Sequence, residues 1–213
     1  MAQTAVLNRT SLSEQIRDAL LERIVSGVVK PGDRLIELKI AEEMQTSQAP
    51  VREALRELEA IGLIESQRNR GARVRILDEN ELAEIYLVRA ELEALAGEIV
   101  ARRAPDTSIK LKKIVERMKK AAASKDIRKF AKLNSDFHGT IVHATENATL
   151  LKLWEGLDVC SRTRVNMSLT ATDLRDVTKS HLEIVDAIAK GAATEAREAS
   201  WRHVRDSTSR GFD

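Results

Sequence analysis

The residues of this chain best able to do chemistry are imidazoles and arginines. Three of the four histidines, His138, His181 and His203, fall on apolar stripes of three separate helical patterns. Over 127–144 the stripe is Phe130, Leu133, Phe137 and Ile141. Asn134 and His138 lie one turn apart at i and i+4, within the wider apolar arc that continues to Val142. Over 173–190 the stripe is Leu174, Val177, His181, Ile184, Val185 and Ile188, and in the last helix it is Ala192, Ala196, Ala199 and His203. Three inward imidazoles with an amide beside the first could converge on a divalent cation such as Zn, Ni, Mn or Fe. An inward histidine is also an ordinary hydrogen-bonded core residue, and both readings stay open here. His143 lies well round from His138 and is expected to be exposed.

A second set of polar residues sits near the start of the chain. Glu37–Arg56 (ELKIAEEMQTSQAPVREALR) reads as two short helices with a tight corner at Gln45-Thr46-Ser47. Ile40, Ala41 and Met44 form one apolar face, and Val51, Ala54, Leu55 and Leu58 the other. Ser47 is suited to the N-cap of the second helix, and Pro50 falls in its first turn. Such a pair is a helix-turn-helix, whose second helix enters a DNA major groove. Its outward groups are Gln48, Arg52, Glu53 and Arg56. Leu63–Gln67 and Ala72–Ile76 then alternate around a turn containing Gly71, which predicts a β-hairpin. It carries Arg68, Arg70, Arg73 and Arg75, and no acid lies between Ser66 and Leu77. A cationic hairpin directly after a helix pair is a wing that can meet phosphates or a minor groove.

The remaining elements position these two sets. Residues 1–10 read as a disordered arm. Ser11 or Ser13 caps a helix to about Val25 with Leu12, Ile16, Leu20 and Ile24 as its stripe, ended by Gly27. A turn at Lys30–Asp33 leads to a short strand, Arg34–Ile36. From Asp78 onward the pattern is helical. The first helix, Glu79–Arg103, carries Leu82, Ile85, Leu92, Leu95, Ala96 and Ile99, with Arg89 free to form a surface i,i+4 pair with Glu93. Helices follow over 108–124, 126–144, 147–167, 172–191 and 194–210. The expected fold is mainly α: a winged helix-turn-helix over 11–77, then an all-α bundle over 78–213. The patterns mark six helices, and a bundle of six or seven satisfies them.

Residues 10–77 resemble the winged helix of the GntR transcription regulators. The resemblance rests on Lys30-Pro31-Gly32-Asp33-Arg34-Leu35, Ile40-Ala41-Glu42, Ala49–Ile64 and Arg70-Gly71-Ala72-Arg73-Val74. It implies DNA contacts from Arg34, Ser47, Gln48, Ala49, Arg52, Arg56, Arg68, Arg70 and Gly71. The family's usual Ser-Arg-Thr-Pro is Ser47-Gln48-Ala49-Pro50 here. Gln prefers adenine edges where Arg prefers guanine, so the operator should be shifted from the usual one. The helical part is similar to the FCD effector domain of the FadR-type branch. That similarity rests on Tyr86–Glu93, Asn134–His138, Asn147 with Leu150, His181–Ile188 and Trp201-Arg202-His203. It implies a divalent metal on Asn134, His138, His181 and His203, with Asn134 standing where the family carries Asp. Asn brings no charge, so metal affinity should be weaker. The resemblance also implies that Arg89 meets a carboxylate effector beside Asn134 and His138, with Arg162 and Arg164 as weaker candidates.

Composition narrows the class. The chain has 213 residues, 43% apolar and 32% charged, with only 3% aromatic, which favours a helical globule. A net charge of +2 announces no global attraction to nucleic acid, so local clusters must supply it. The single cysteine, Cys160, excludes an intrachain disulfide and a Cys-based zinc site. No secretory h-region or membrane-length apolar run is present, and a cytoplasmic location is expected. These residues point to a homodimeric, ligand-responsive DNA-binding regulator that reads an inverted repeat and responds to a small organic acid. One alternative is a DNA-binding protein whose helical part only dimerises. The other is a metal-dependent hydrolase or lyase, although the inward cluster lacks a nucleophile or paired carboxylates.

Overall fold

The computed structural model describes residues 11–67, 71–75, 79–169 and 173–207. Contacts divide the chain into two compact units, Met1–Leu77 and Asp78–Asp213.

The first unit begins with α1 (Leu12–Val25). Ser11 Oγ accepts from the Glu14 amide at 3.1 Å and Glu14 Oε2 accepts from the Ser11 amide at 2.7 Å, a reciprocal capping box. Gly27, with φ +74°, takes the left-handed position just after the helix. The buried stripe of α1 is Ser13, Ile16, Leu20 and Leu21, whereas Leu12 is exposed and Ile24 only half-buried. The expected stripe is thus rotated toward the face that meets the later helices. Strand β1 (Arg34–Leu35) leads into α2 (Glu37–Glu43), and α3 (Gln48–Ala60) follows after a corner at Gln45, where φ is +52°. Ile40 and Ala41 of α2 and Val51, Ala54, Leu55 and Leu58 of α3 are buried. Strands β2 (Ile64–Gln67) and β3 (Gly71–Val74) pair antiparallel, and β1 adds to β3, giving the order β1-β3-β2. Period-two alternation buries Ala72 and Val74 while Gly71 is exposed and Arg73 half-buried. At Gly71, φ is +78° and a Cβ would lie 2.8 Å from the Leu35 carbonyl oxygen, so a side chain is excluded there.

Among the described residues the second unit is a bundle of seven helices: α4 (Glu79–Arg103), α5 (Thr107–Ala123), α6 (Ile127–Ala144), α7 (Ala148–Glu155), α8 (Val159–Leu169), α9 (Leu174–Ala189) and α10 (Ala193–Arg205). Asp126, Asn147 and Asp173 cap α6, α7 and α9 through their side chains. The single helix expected over 147–167 is two helices. Gly156 ends α7, Asp158 adopts φ +42°, and its carboxylate accepts from the Ser161 amide to begin α8. Asp106 stands at the start of α5 without a side-chain cap. The bundle core gathers Leu111, Val115, Met118, Phe130, Leu133, Phe137, Ile184 and Ile188.

Helix α4 departs most from its expected stripe. Its buried positions are Leu82, Tyr86, Arg89, Ala90, Glu93, Ala94, Ala96, Gly97, Val100 and Ala101, whereas Leu95 is exposed. Small residues let α10 approach closely: a Cβ at Gly97 would lie 2.6 Å from Ser200 Oγ and 3.0 Å from the Ala196 carbonyl oxygen. The hydroxyl can rotate away but the carbonyl cannot. Gly97→Ala is therefore expected to lower stability by about 1–3 kcal/mol, the usual cost of overpacking. Urea unfolding measures this, and a variant as stable as the parent would contradict the close crossing.

Candidate functional site

Two sets of polar side chains stand out, one in each unit. In the first unit, Ser47, Gln48, Ala49, Arg52, Glu53 and Arg56 are all exposed along the start and outer face of α3. Ser47 holds the N-cap position but its side chain makes no cap bond, which leaves first-turn amides available to an anion. Arg52 is steadied by Glu37, with Nε at 3.1 Å and Nη2 at 2.9 Å from Oε2, yet its side chain remains 53% exposed. Arg34 is exposed on β1. The wing departs from expectation in one respect. Arg73 Nη1 donates to the Gly32 carbonyl at 2.9 Å and Arg75 Nη1 to the Gly62 carbonyl at 3.2 Å. These two arginines satisfy turn carbonyls of their own unit rather than reaching outward. Arg68 and Arg70 lie outside the described residues.

In the second unit, α6, α9 and α10 bring His138, His181 and His203 together. Their ring centroids lie 4.1–5.2 Å apart, and one ring nitrogen from each falls within 4.8 Å of the others. All three are buried, as is Asn134, whose Oδ1 is 3.0 Å from His181 Nε2. His143 is exposed and takes no part.

The outer contacts of the three rings decide where their protons sit. His138 Nδ1 is 2.7 Å from Glu93 Oε2, an acceptor. His181 Nδ1 is 2.6 Å from the Val177 carbonyl, also an acceptor. His203 Nδ1 is 2.7 Å from Ser180 Oγ, a hydroxyl that also lies 2.8 Å from the Val177 carbonyl and can donate to either. His138 and His181 therefore carry their protons at Nδ1, each beside an oxygen that can only accept. Burial keeps the rings neutral: it pushes His181 down to about 3 and His203 well below its ordinary value. It also lowers His138, against the opposing pull of Glu93. A neutral ring protonated at Nδ1 has a bare lone pair at Nε2. His138 and His181 take this form, and a ring nitrogen of His203 lies within 4.8 Å of one from each.

Two further observations fit a cation at this point. His138 Nε2 is buried with no hydrogen-bond partner among the described residues. The amide oxygen of Asn134 faces the bare Nε2 of His181, acceptor against acceptor. A cation held by both atoms resolves that contact. Rotation of the amide also resolves it, so that Nδ2 donates to the ring and Thr163, 3.4 Å from the amide, donates to the oxygen. The outer partners Glu93, Val177 and Ser180 are of the kind that orient metal-binding imidazoles.

Arg89 corrects a sequence expectation. It does pair with Glu93, Nε to Oε1 at 2.7 Å, but both side chains are buried, at 4% and 3% exposure, rather than on the surface. Trp154 Nε1 donates to the same Glu93 oxygen at 2.8 Å. Burial alone would raise the Glu93 carboxyl, but Arg89 and His138 outweigh it and hold it well below the usual carboxylate range. Arg162 is half-buried and spends its Nε on the Leu157 carbonyl at 2.6 Å, and Arg164 is buried. Sequence reasoning missed Glu93 as part of this site, and Trp154 and Ser180 altogether. Glu93 was findable: it lies one turn after Arg89 and two turns after Tyr86, on one helix face. Trp154 reaches the site because Gly139, on the same helix as His138, has no side chain; a Cβ there would be 3.2 Å from the indole.

A model described as "Bacterial regulatory proteins, gntR family" matches residues 12–74, and one described as "FCD domain" matches residues 84–206. A probable D-xylose utilization operon transcriptional repressor of Paenarthrobacter nicotinovorans is 38% identical over 198 residues, covering 93% of this chain and 88% of the relative. The chain belongs to the GntR family of transcription regulators. A gluconate operon transcriptional repressor of Bacillus licheniformis is 34% identical over 166 residues, covering 78% of this chain and 68% of the relative. Among solved structures, E. coli McbR/YncC superposes with a TM-score of 0.73 at 22% identity, covering 93% of this chain and 95% of that one, and so shares the fold. The GntR chain is thus a DNA-binding transcription regulator with an FCD domain, and its relatives are regulators, not enzymes, which sets the hydrolase or lyase reading aside. Among the described residues no helix is long and apolar enough to cross a membrane.

The two tryptophans of this GntR protein offer a built-in comparison. Trp154 Nε1 serves a buried carboxylate, whereas Trp201 Nε1 is buried with no partner among the described residues. Trp154→Phe is expected to cost about 1–3 kcal/mol, the range for a bond to a charged group, and Trp201→Phe distinctly less. Denaturant unfolding of the two variants checks the order, and equal losses would contradict the role given to the Trp154 indole.

Proposed function

We propose that this chain acts as a dimeric, effector-controlled repressor in the cytoplasm. Its first unit reads one half of an inverted-repeat operator, and its second unit binds a small organic acid with the help of one divalent cation. The observation that carries the reading is the meeting of three buried imidazoles in an FCD domain joined to a winged helix. The relatives' names, a D-xylose utilization operon and a gluconate operon, support repression and favour a sugar or sugar acid as the signal.

On the DNA side, α3 lies in the major groove with Gln48 at a base edge, Arg52 and Arg56 at phosphates or bases, and Ser47 and Ala49 at its start. Arg34, Arg68, Arg70 and the Gly71 backbone contact the flanking backbone or minor groove. On the ligand side, His138, His181, His203 and the Asn134 oxygen hold Zn, Ni, Mn or Fe. All four ligands are neutral, so the bound cation keeps both of its charges. It therefore calls for an anionic ligand, and cation and acid reinforce each other's binding. Asn134, His138 and Arg89 would face the acid, while Arg162 would have to leave the Leu157 carbonyl to reach it. Ligand occupancy alters DNA affinity only by favouring one arrangement of the paired DNA-binding units over another.

Two measurements test the two halves. Arg52→Ala is expected to weaken binding to operator and nonspecific duplexes alike and to reduce the salt slope by about 1. Mobility-shift titrations at several salt concentrations read this, and unchanged affinity would refute the role of Arg52. His138→Ala combined with His181→Ala is expected to abolish metal uptake in elemental analysis of protein dialysed against Zn or Ni. Retention of a stoichiometric ion by that folded variant would end the metal reading.

A further inference from the structure

Three donors from three helices close on a single carboxylate inside the second unit. Arg89 Nε on α4 and Trp154 Nε1 on α7 meet Glu93 Oε1 at 2.7 and 2.8 Å, and His138 Nδ1 on α6 meets Oε2 at 2.7 Å. All four side chains are at least nine-tenths buried. Arg89 is held from a second side by Tyr86, its guanidinium carbon 5.1 Å from the ring centroid. A guanidinium and an indole N–H on one oxygen, with an imidazole nitrogen 2.7 Å from the other, are the elements of a receptor for a carboxylate group. The carboxylate that fills it comes from the same helix as the arginine, one turn later. The Nε face of Arg89 is therefore closed to an incoming acid while Glu93 stays where it is.

We propose that Arg89, His138 and Trp154 form a carboxylate-binding site that Glu93 fills from within the chain, and that a carboxylate ligand of the second unit competes with Glu93 for it. This rests on the reading of that unit as the site of an organic acid, and it names the displaced group. Removal of Glu93 from the donors frees α4 from Trp154 on α7 and releases the Nδ1 proton of His138. Arrival of an acid is thus felt at once on three helices. The class of ligand follows from the donors: a small planar carboxylate fits, whereas an uncharged sugar leaves Arg89 without its anion.

Glu93→Ala tests this through rescue by acetate. The variant is expected to melt well below the parent. Millimolar acetate or formate should return at least half of that loss, saturably, while chloride at matched ionic strength should not. The parent should respond only at much higher acetate, because Glu93 must first be displaced there, and Arg89→Ala combined with Glu93→Ala should lose the response. If Glu93→Ala does not fold in chloride, refolding yield from urea in acetate against chloride gives the same comparison. An acetate response no larger than that to chloride, or one that survives in the double variant, overturns the proposal. The broader reading is tested apart from this, by whether a panel of sugar acids changes operator binding of the parent. Rescue without any such change would uphold the carboxylate site and remove its role in sensing.

Discussion

A carboxylate sealed inside a helical bundle constrains everything around it. Glu93 is nearly inaccessible to water, and its charge is tolerated only because Arg89, His138 and Trp154 reach it together. Loss of one partner from such a buried group typically costs several kcal/mol, since the charge left behind is unsolvated. That requirement fixes how α4, α6 and α7 meet. It also explains a glycine: Gly139 yields the space through which the Trp154 indole arrives. The break at 156–158 ends α7 just after Trp154 and lets α8 start afresh at Asp158.

The same carboxylate sets the polarity of the histidine cluster. Its oxygen beside Nδ1 of His138 keeps the proton there and leaves Nε2 bare. The Val177 carbonyl does the same for His181, and Ser180 meets His203 Nδ1 from the same turn of α9. Burial then excludes the doubly protonated form that would otherwise fill the centre with mutually repelling charges. With Asn134 in place of a carboxylate, the charge missing from the protein is left for a ligand to bring, which ties cation and acid to one event.

Much of this was legible in the sequence because it depends on local periodicity. The helix-turn-helix, the hairpin and the inward placement of His138, His181 and His203 each follow from apolar spacing within one element. What was not legible depends on pairs far apart in the chain. Trp154 and Glu93 are 61 positions apart, and only the packed bundle reveals that the indole serves the carboxylate. The stripe of α4 misled because its buried face is built of Ala and Gly rather than Leu. Close approach to α10 there needs small residues, so the larger Leu95 faces outward. On the wing, alternation placed Arg73 within a strand, and Arg75 follows one residue past it. It could not show that the carbonyls of Gly32 and Gly62 would claim their guanidinium groups.

The claim on which the sensing half rests is the tautomer shared by His138 and His181, and nitrogen NMR reads it directly. Long-range proton–nitrogen correlation spectra of the metal-free, nitrogen-15-labelled protein at neutral pH distinguish a protonated from a bare ring nitrogen in each histidine. His138 and His181 protonated at Nδ1 and bare at Nε2, with exposed His143 titrating apart from them, is the result predicted. Both of these rings protonated at Nε2 would mean that no set of lone pairs faces the centre, and the account of the cluster as a cation site would be wrong.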